Sequence, residues 1–421
     1  MKNLSLKWIL SCACLAIFSF SSCSDGEKES PKTNLTPDEH KAELERIGLE
    51  ALAKINPDDH ATLLTAIDEF YRLSDIGYLE IEENAGASAA NLLKSVGTVC
   101  SRTQLGGVSA FANPTNDLYS AARYYGVYTY NSATNHWDKT ASNSVLEFRF
   151  TSDGQPVIVQ ISKSGKEKQI DLFEESGTQY QALVPEHAKA TLTRGGEELC
   201  NVTVDVNVDG NQRTADVTCT LTANGYVFQS VTHATKTNAT EDFTLTVKGE
   251  QIVTGKASLN GYDMTDEDNI NSVIDENKEV HELFGGATAE INILNEAIIK
   301  GYCESVKDMK DRMNLIQDAY PDTSLEYNDK KSEVYNQYIK GELYYTDGDN
   351  VIANLGWQSC EDDYYYSSET YYDTEAVIIF ASDNSKFSID SYFDDISFDG
   401  LIDSAESLSD QYENYLSHLL N

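Results

Sequence analysis

Thr191-Leu192-Thr193-Arg194-Gly195-Gly196-Glu197-Glu198-Leu199 reads as strand, tight glycine turn, strand, and it returns later in the chain as Thr244-Leu245-Thr246-Val247-Lys248-Gly249-Glu250-Gln251-Ile252. Both copies run on to an asparagine, Asn207 and Asn260. Looser versions stand at Phe148–Gly154, Leu343–Gly348 and Ile379–Asn384. Hairpin units repeated in this way predict a large antiparallel sheet.

The first copy specifies its faces. Val202, Val204, Val206 and Val208 alternate with Asn201, Thr203, Asp205 and Asn207, the pattern of a strand buried on one side. Read as a two-residue type I′ turn, Asp209-Gly210 sets Cys200 opposite Cys219, Val202 opposite Val217 and Val204 opposite Ala215. In that register Cys200 and Cys219 are either a cross-strand disulfide or two buried thiols. The strand also carries Asp205, Asn207 and Asp209, with Asp216 at the twelfth place of an EF-hand-like spacing that suits calcium. Arg213 at the ninth place and the absence of predicted flanking helices weigh against calcium, and solvent-facing polar residues account for the same alternation.

Upstream, Thr36-Pro37-Asp38-Glu39 supplies an N-cap, a proline at the first helical position and a glutamate for a capping box, and Asn56-Pro57-Asp58-Asp59 repeats the chemistry. Apolar stripes at Leu44, Ile47, Ala51, Ile55 and at Leu63, Leu64, Ile67, Phe70, Tyr71 predict a helical hairpin. His40 and His60 occupy matching places in the two first turns and read as exposed helix-start residues. Downstream, Ala287 to Cys303 fits either period, and Gly285-Gly286 with Asn295-Glu296 as breaks favours strands. Val306, Met309, Met313 and Ile316 form a helical stripe ended by Pro321, a shorter helix is expected over Lys331 to Ile339, and Leu401, Leu408, Tyr412, Tyr415, Leu416 and Leu419 predict a C-terminal amphipathic helix. The expected class is α+β: an N-terminal helical hairpin, then a large antiparallel hairpin and meander body with inserted helices and a C-terminal helix. The expected division is a helical region over 36–122, an antiparallel β domain over 123–262 and a second α+β region over 263–421.

The N-terminus gives an address. Lys2 and Lys7 precede an apolar run from Trp8 to Phe20, too short for a stable membrane anchor and right for a signal-peptide core. Phe20-Ser21-Ser22-Cys23 resembles a bacterial lipobox, with Phe20 in the place of the usual leucine, which makes residues 1–22 a signal, Cys23 the lipidated residue and 23–35 a flexible tether. Ser24-Asp25-Gly26-Glu27-Lys28-Glu29 resembles the acidic signal that sends Bacteroidota lipoproteins to the outer face of the outer membrane. Farther on, Gly126-Val127-Tyr128-Thr129-Tyr130, Trp137 and Leu146-Glu147-Phe148-Arg149-Phe150 are similar to a group of Bacteroides-type lipoproteins with β-rich bodies, a likeness that runs to about residue 303. That resemblance implies a location and an architecture, and no reaction.

Composition narrows the partners. The formal charge is −38 and becomes more negative once Lys2 and Lys7 leave with the signal, so nucleic acid and anionic lipid surfaces are disfavoured. No cofactor is expected: there is no P-loop or dinucleotide fingerprint, and His281-Glu282 is followed by Leu283, Phe284 and Gly285 instead of completing a zinc motif. The last third is aromatic and acidic. Trp357 falls on a predicted strand, and Glu361-Asp362-Asp363-Tyr364-Tyr365-Tyr366 leads to Tyr371-Tyr372-Asp373. Rings beside carboxylates are what a sugar surface needs, the ring stacking on the apolar face of a pyranose and the carboxylates accepting from hydroxyls; packing at a strand edge accounts for the same residues. The expected role is non-catalytic binding, of glycan or of an envelope or host component, by a membrane-tethered protein. A structural envelope lipoprotein contacting partner proteins is the alternative, with a hydrolase third.

Overall fold

The structure, a computed structural model, describes residues 35–76, 125–175, 178–209, 214–261, 284–346, 351–362, 370–389, 392 and 399–417. Cys23 and its tether lie outside them, as do Tyr364, Tyr365 and Tyr366. The chain is α+β, with helices before, within and after one 16-stranded sheet. Among the described residues no helix is long and apolar enough to cross a membrane.

The strands, in chain order, are β1 (Gly126–Asn131), β2 (His136–Ala141), β3 (Val145–Ser152), β4 (Gln155–Glu175), β5 (Thr178–Arg194), β6 (Glu197–Asp209), β7 (Thr214–Ala223), β8 (Tyr226–Ala234), β9 (Asn238–Val247), β10 (Glu250–Gly261), β11 (Phe284–Ile293), β12 (Ala297–Cys303), β13 (Ile339–Tyr345), β14 (Val351–Asp362), β15 (Tyr371–Phe380) and β16 (Lys386–Ser388). From β16 back to β3 each strand neighbours the next in sequence, and β1 then lies between β3 and β2, parallel to β3. The turns explain the meander. Asp153-Gly154, Gly195-Gly196, Asn224-Gly225 and Lys248-Gly249 each have positive φ at both residues, the combination whose twist matches that of the flanking strands. Both copies of the repeat therefore turn at the place their glycines indicate, and Ala287 to Cys303 falls in the hairpin of β11 and β12.

The helices are α1 (Pro37–Ala53), α2 (Ala61–Ile76), α3 (Val306–Ala319), α4 (Leu325–Tyr338) and α5 (Asp399–Tyr415), with a 3-10 turn over Pro57–His60 before α2. Thr36 caps α1 in a full capping box with Glu39. Ser324 caps α4, which begins earlier than the apolar positions of Lys331 to Ile339 imply because the cap, and not the stripe, sets the first turn.

Two compact units interleave in sequence. One comprises residues up to Ile55, Lys236–Thr240 and Gln251–Ser407; the other comprises Asn56–Thr235, Glu241–Glu250 and Leu408 onward. The two N-terminal helices thus belong to different units. In the second unit α2 lays Ala66, Phe70 and Leu73 on the first strands, where the Phe70 ring meets Phe148 at 5.1 Å and Trp137 at 5.9 Å. The Trp137 indole donates to the Leu73 carbonyl at 3.2 Å. Across the same face run Phe148, Val159, Leu192, Cys200, Ala223 and Tyr226, each the strand partner of the next. In the first unit Leu44, Ile47 and Ala51 of α1 are fully buried, as are Ile252, Ile293, Ala297 and Phe380 of its strands. A separate cluster of Met313, Tyr327, Val334 and Tyr338 holds α3 and α4.

The register between β6 and β7 corrects the sequence reading. Cys200 pairs with Ala223, Val202 with Leu221, Val204 with Cys219, Val206 with Val217 and Val208 with Ala215. Pairing ends at Asp209 with Thr214, so the connection is 210–213 and not the two-residue turn expected at Asp209-Gly210. The displacement is an even number of residues, and every valine keeps its face. Cys200 and Cys219 do not face each other, no disulfide joins them, and both are thiols. Burial pushes the Cys200 thiol up to about 11, which makes it inert.

Candidate functional site

Of the tyrosines expected to bind ligand, Tyr371 and Tyr372 sit at the end of the β14–β15 pair where the chain passes from one strand to the other. Tyr371 is the strand partner of Asp362, Tyr372 of Glu361 and Asp373 of Cys360. Tyr371 and Tyr372 are half-buried. The helix α4 runs along this hairpin and holds it through one buried amide. Asn328, 1% exposed, donates from Nδ2 to the carbonyls of Tyr372 at 2.7 Å, Asp322 at 3.0 Å and Ser324 at 3.1 Å. Its Oδ1 accepts from the Thr374 hydroxyl at 3.0 Å, and the Tyr372 amide donates to the Thr323 carbonyl at 3.1 Å. The tyrosine end of β15 is thereby tied to the loop and first turn of α4. Around it lie an ion pair of Lys331 with Asp373 at 3.5 Å and a Ser359 hydroxyl bonded to Asp329 at 2.5 Å.

Trp357 serves a different purpose. Asn336 bonds both backbone groups of Trp357, Nδ2 to the carbonyl at 2.7 Å and Oδ1 from the amide at 2.9 Å, and the Tyr335 ring meets the indole edge-on at 4.9 Å. The indole nitrogen is buried and has no hydrogen-bond partner. Trp357 therefore joins β14 to α4 and is not an open stacking platform beside the tyrosines.

The acidic set proposed for calcium lies along extended strands. Asp205 is bonded to His187 Nδ1 at 2.5 Å, its opposite residue on β5. Asp216 accepts from Asn207 Nδ2 at 3.3 Å and is bonded to His233 Nδ1, and the His233 contact holds its carboxyl below the ordinary range. Asp209 closes the strand beside a connection outside the described residues. Asp205, Asn207 and Asp209 succeed one another on one strand face and cannot wrap an ion as a loop does. Among the described residues no group of three or more His, Cys, Asp and Glu is placed to hold a metal.

Sequence reasoning missed the two histidines. His40 and His60 are buried, not exposed, 1% and 9% accessible respectively. His40 stacks on Phe380 at 5.6 Å, with Nδ1 at 3.2 Å from the Tyr345 hydroxyl. Burial there pushes its pKa down to about 4 against a small opposing pull from Glu39. His60 meets the Tyr226 ring edge-on at 4.2 Å, with Nδ1 at 3.3 Å from the Tyr412 hydroxyl. Its pKa is also lowered by burial, opposed by a hydrogen bond to the Ala223 backbone and by Asp59.

Beside His60 a polar network ties the 3-10 turn to two hairpin turns. Asp59 pairs with Lys248 at 2.6 Å and accepts from the Tyr226 hydroxyl at 3.2 Å, while that hydroxyl accepts from the Asn56 amide at 2.9 Å. The Asn224 side chain donates to the Asp59 carbonyl at 2.5 Å, and Tyr415 donates to Asp58 at 2.8 Å. Lys248 stands where the first repeat has Gly195, at φ 51°. A lysine in left-handed backbone is unfavourable, and here its ammonium is the group that pairs with Asp59. The only signal in the sequence was that exchange of glycine for lysine between the two repeats.

No protein-family model matches the chain, and no curated protein is similar to it. A porin-like protein from Bacteroides vulgatus, known from its crystal structure, is similar over 62% of this chain and 88% of that one, at 8% identity and a TM-score of 0.15. A likeness at that level carries no argument about fold or function.

Proposed function

We propose that this protein is held at the outer face of a bacterial outer membrane by lipid on Cys23 and binds glycan, without catalysis, at the tyrosine end of the β14–β15 hairpin. The observation that carries the reading is the register: Tyr371 and Tyr372 pair with Asp362 and Glu361, so the Tyr372 ring has the Glu361 carboxylate opposite it on the neighbouring strand. A pyranose presents an apolar face to a ring and hydroxyls to carboxylates, and Asn328 fixes the backbone at Tyr372 and Thr374 before a ligand binds. The lipobox-like Phe20-Ser21-Ser22-Cys23 and the acidic residues that follow support the location.

Glycan-array and polysaccharide-pulldown measurements on the purified full chain test the binding half. The Tyr371→Ala/Tyr372→Ala variant is expected to lose at least tenfold in affinity, since stacked aromatic anchors dominate such sites, while keeping its melting temperature within about 3 °C. Absence of binding in the wild type at high protein concentration overturns the glycan reading and favours a protein partner, to be sought by crosslinking on whole cells. Metabolic labelling with palmitate tests the anchor, because Cys23→Ser must abolish incorporation.

A further inference from the structure

On the face of β7, β8 and β9 opposite to Asp205 and Asp216, a carboxylate is buried with no counter-charge among the described residues. Glu241 of β9 is 8% exposed, and beside it Ser230 and Thr232 of β8 are 3% and 6% exposed. The Ser230 hydroxyl donates to Glu241 Oε1 at 2.8 Å. Glu241 Oε2 and Thr232 Oγ1 are both buried and have no hydrogen-bond partner. Ser230 and Thr232 are two apart on one strand and so share a face, where their partners on β7 are Cys219 and Val217. The aromatic pair Phe228 and Phe243, at 6.5 Å between ring centres, flanks them on the same two strands. Among the described residues no lysine, arginine or histidine pairs with Glu241.

A carboxylate removed from water is costly unless it is paired, and a carboxylate oxygen and a hydroxyl oxygen left open on two strands beside the Ser230 hydroxyl are hard donors for a cation. We propose that Glu241, Thr232 and Ser230 form a site for a monovalent alkali cation. Glu241 Oε2 and Thr232 Oγ1 are the two open ligands, and Ser230, whose proton is committed to Glu241 Oε1, offers a lone pair. The charge count sets the valence. One carboxylate and one monovalent ion are neutral together, whereas a divalent ion leaves a net charge among Val217, Phe228 and Phe243. This site is independent of the tyrosine hairpin and would tie β8 to β9 within the second unit.

Thermal unfolding of the full chain in sodium or potassium chloride, against choline chloride at equal ionic strength, tests the site and removes general screening of the acidic surface. Sodium or potassium is expected to raise the melting temperature by about 2–4 °C over choline, with saturation. Glu241→Gln and Thr232→Val should each remove that difference. Thr232→Val keeps the carboxylate and nearly the same volume, so it decides the matter if Glu241→Gln does not fold. Equal melting temperatures in the three salts overturn the proposal. So does a response that persists in Thr232→Val, or one that only calcium produces.

Discussion

The starts of α1 and α2 share a sequence, proline two residues after the stretch's apolar lead-in, then acid, acid and histidine, yet the two histidines do different things. His40 lies in a buried clamp of Phe380 and Tyr345, with no ion pair at its ring among the described residues. His60 lies against Tyr226 and Tyr412 beside the Asp59–Lys248 pair, in a network that reaches two hairpin turns. One unit docks its helix by aromatic packing around a neutral imidazole; the other adds a polar lock. A local motif determines where a helix begins, and distant strands determine what its first turn is for.

The largest expected effect comes from the packing side of the second unit. Phe70→Ala empties the contact with Phe148 and Trp137 and should cost about 4 kcal/mol, measured by denaturant unfolding. A loss under about 1 kcal/mol would mean that α2 is held by its polar start and not by its stripe.

Acid should separate the two starts. The pKa of His40 is lower folded than unfolded, so its contribution is fully present above the unfolded value near 6.5 and is lost as pH falls toward about 4. The loss amounts to about 3 kcal/mol over that window, absent in His40→Gln. His60 shifts in the same direction and loses stability in the same sense below its unfolded value. Histidine NMR titration that found His40 near 6.5 would refute the buried clamp.

Tyr226→Phe is a smaller change, because it keeps the ring against His60 and removes the hydroxyl shared by the Asn56 amide and Asp59. About 1 kcal/mol is expected, with faster amide exchange at the start of α2 and none at the start of α1. Smallest of all should be Lys248→Gly, which relieves left-handed backbone while deleting the pair with Asp59. These oppose each other, so the informative reading is salt: the wild type should lose part of this contribution at high ionic strength and the variant should not.

The candidate binding end shows how far local reading reaches. That Tyr371 and Tyr372 stand near acidic residues follows from composition along the chain, but that they pair with Asp362 and Glu361 depends on the β14–β15 register, and the pinning by Asn328 depends on a helix more than thirty residues upstream. Trp357 belonged with those tyrosines by sequence distance and by residue type. The structure gives it to α4, through Asn336 and Tyr335, because the strand face it occupies is the one a helix covers.

By itself the sequence determined the elements: period-two alternation from Asn201 to Val208, glycine pairs that accept positive φ at Gly195-Gly196, and the cap at Thr36 are all local physics, carried by a few neighbouring residues. Parity was determined as well, which is why the misjudged turn after Asp209 moved Cys200 from Cys219 to Ala223 without moving any valine to the other face. Only the tertiary structure decided which polar residues are buried. His40, His60 and Glu241 carry the same local signals as exposed residues, and what removes them from water is contributed by side chains on other elements, Phe380, Tyr226 and Ser230 among them, that no window of sequence contains.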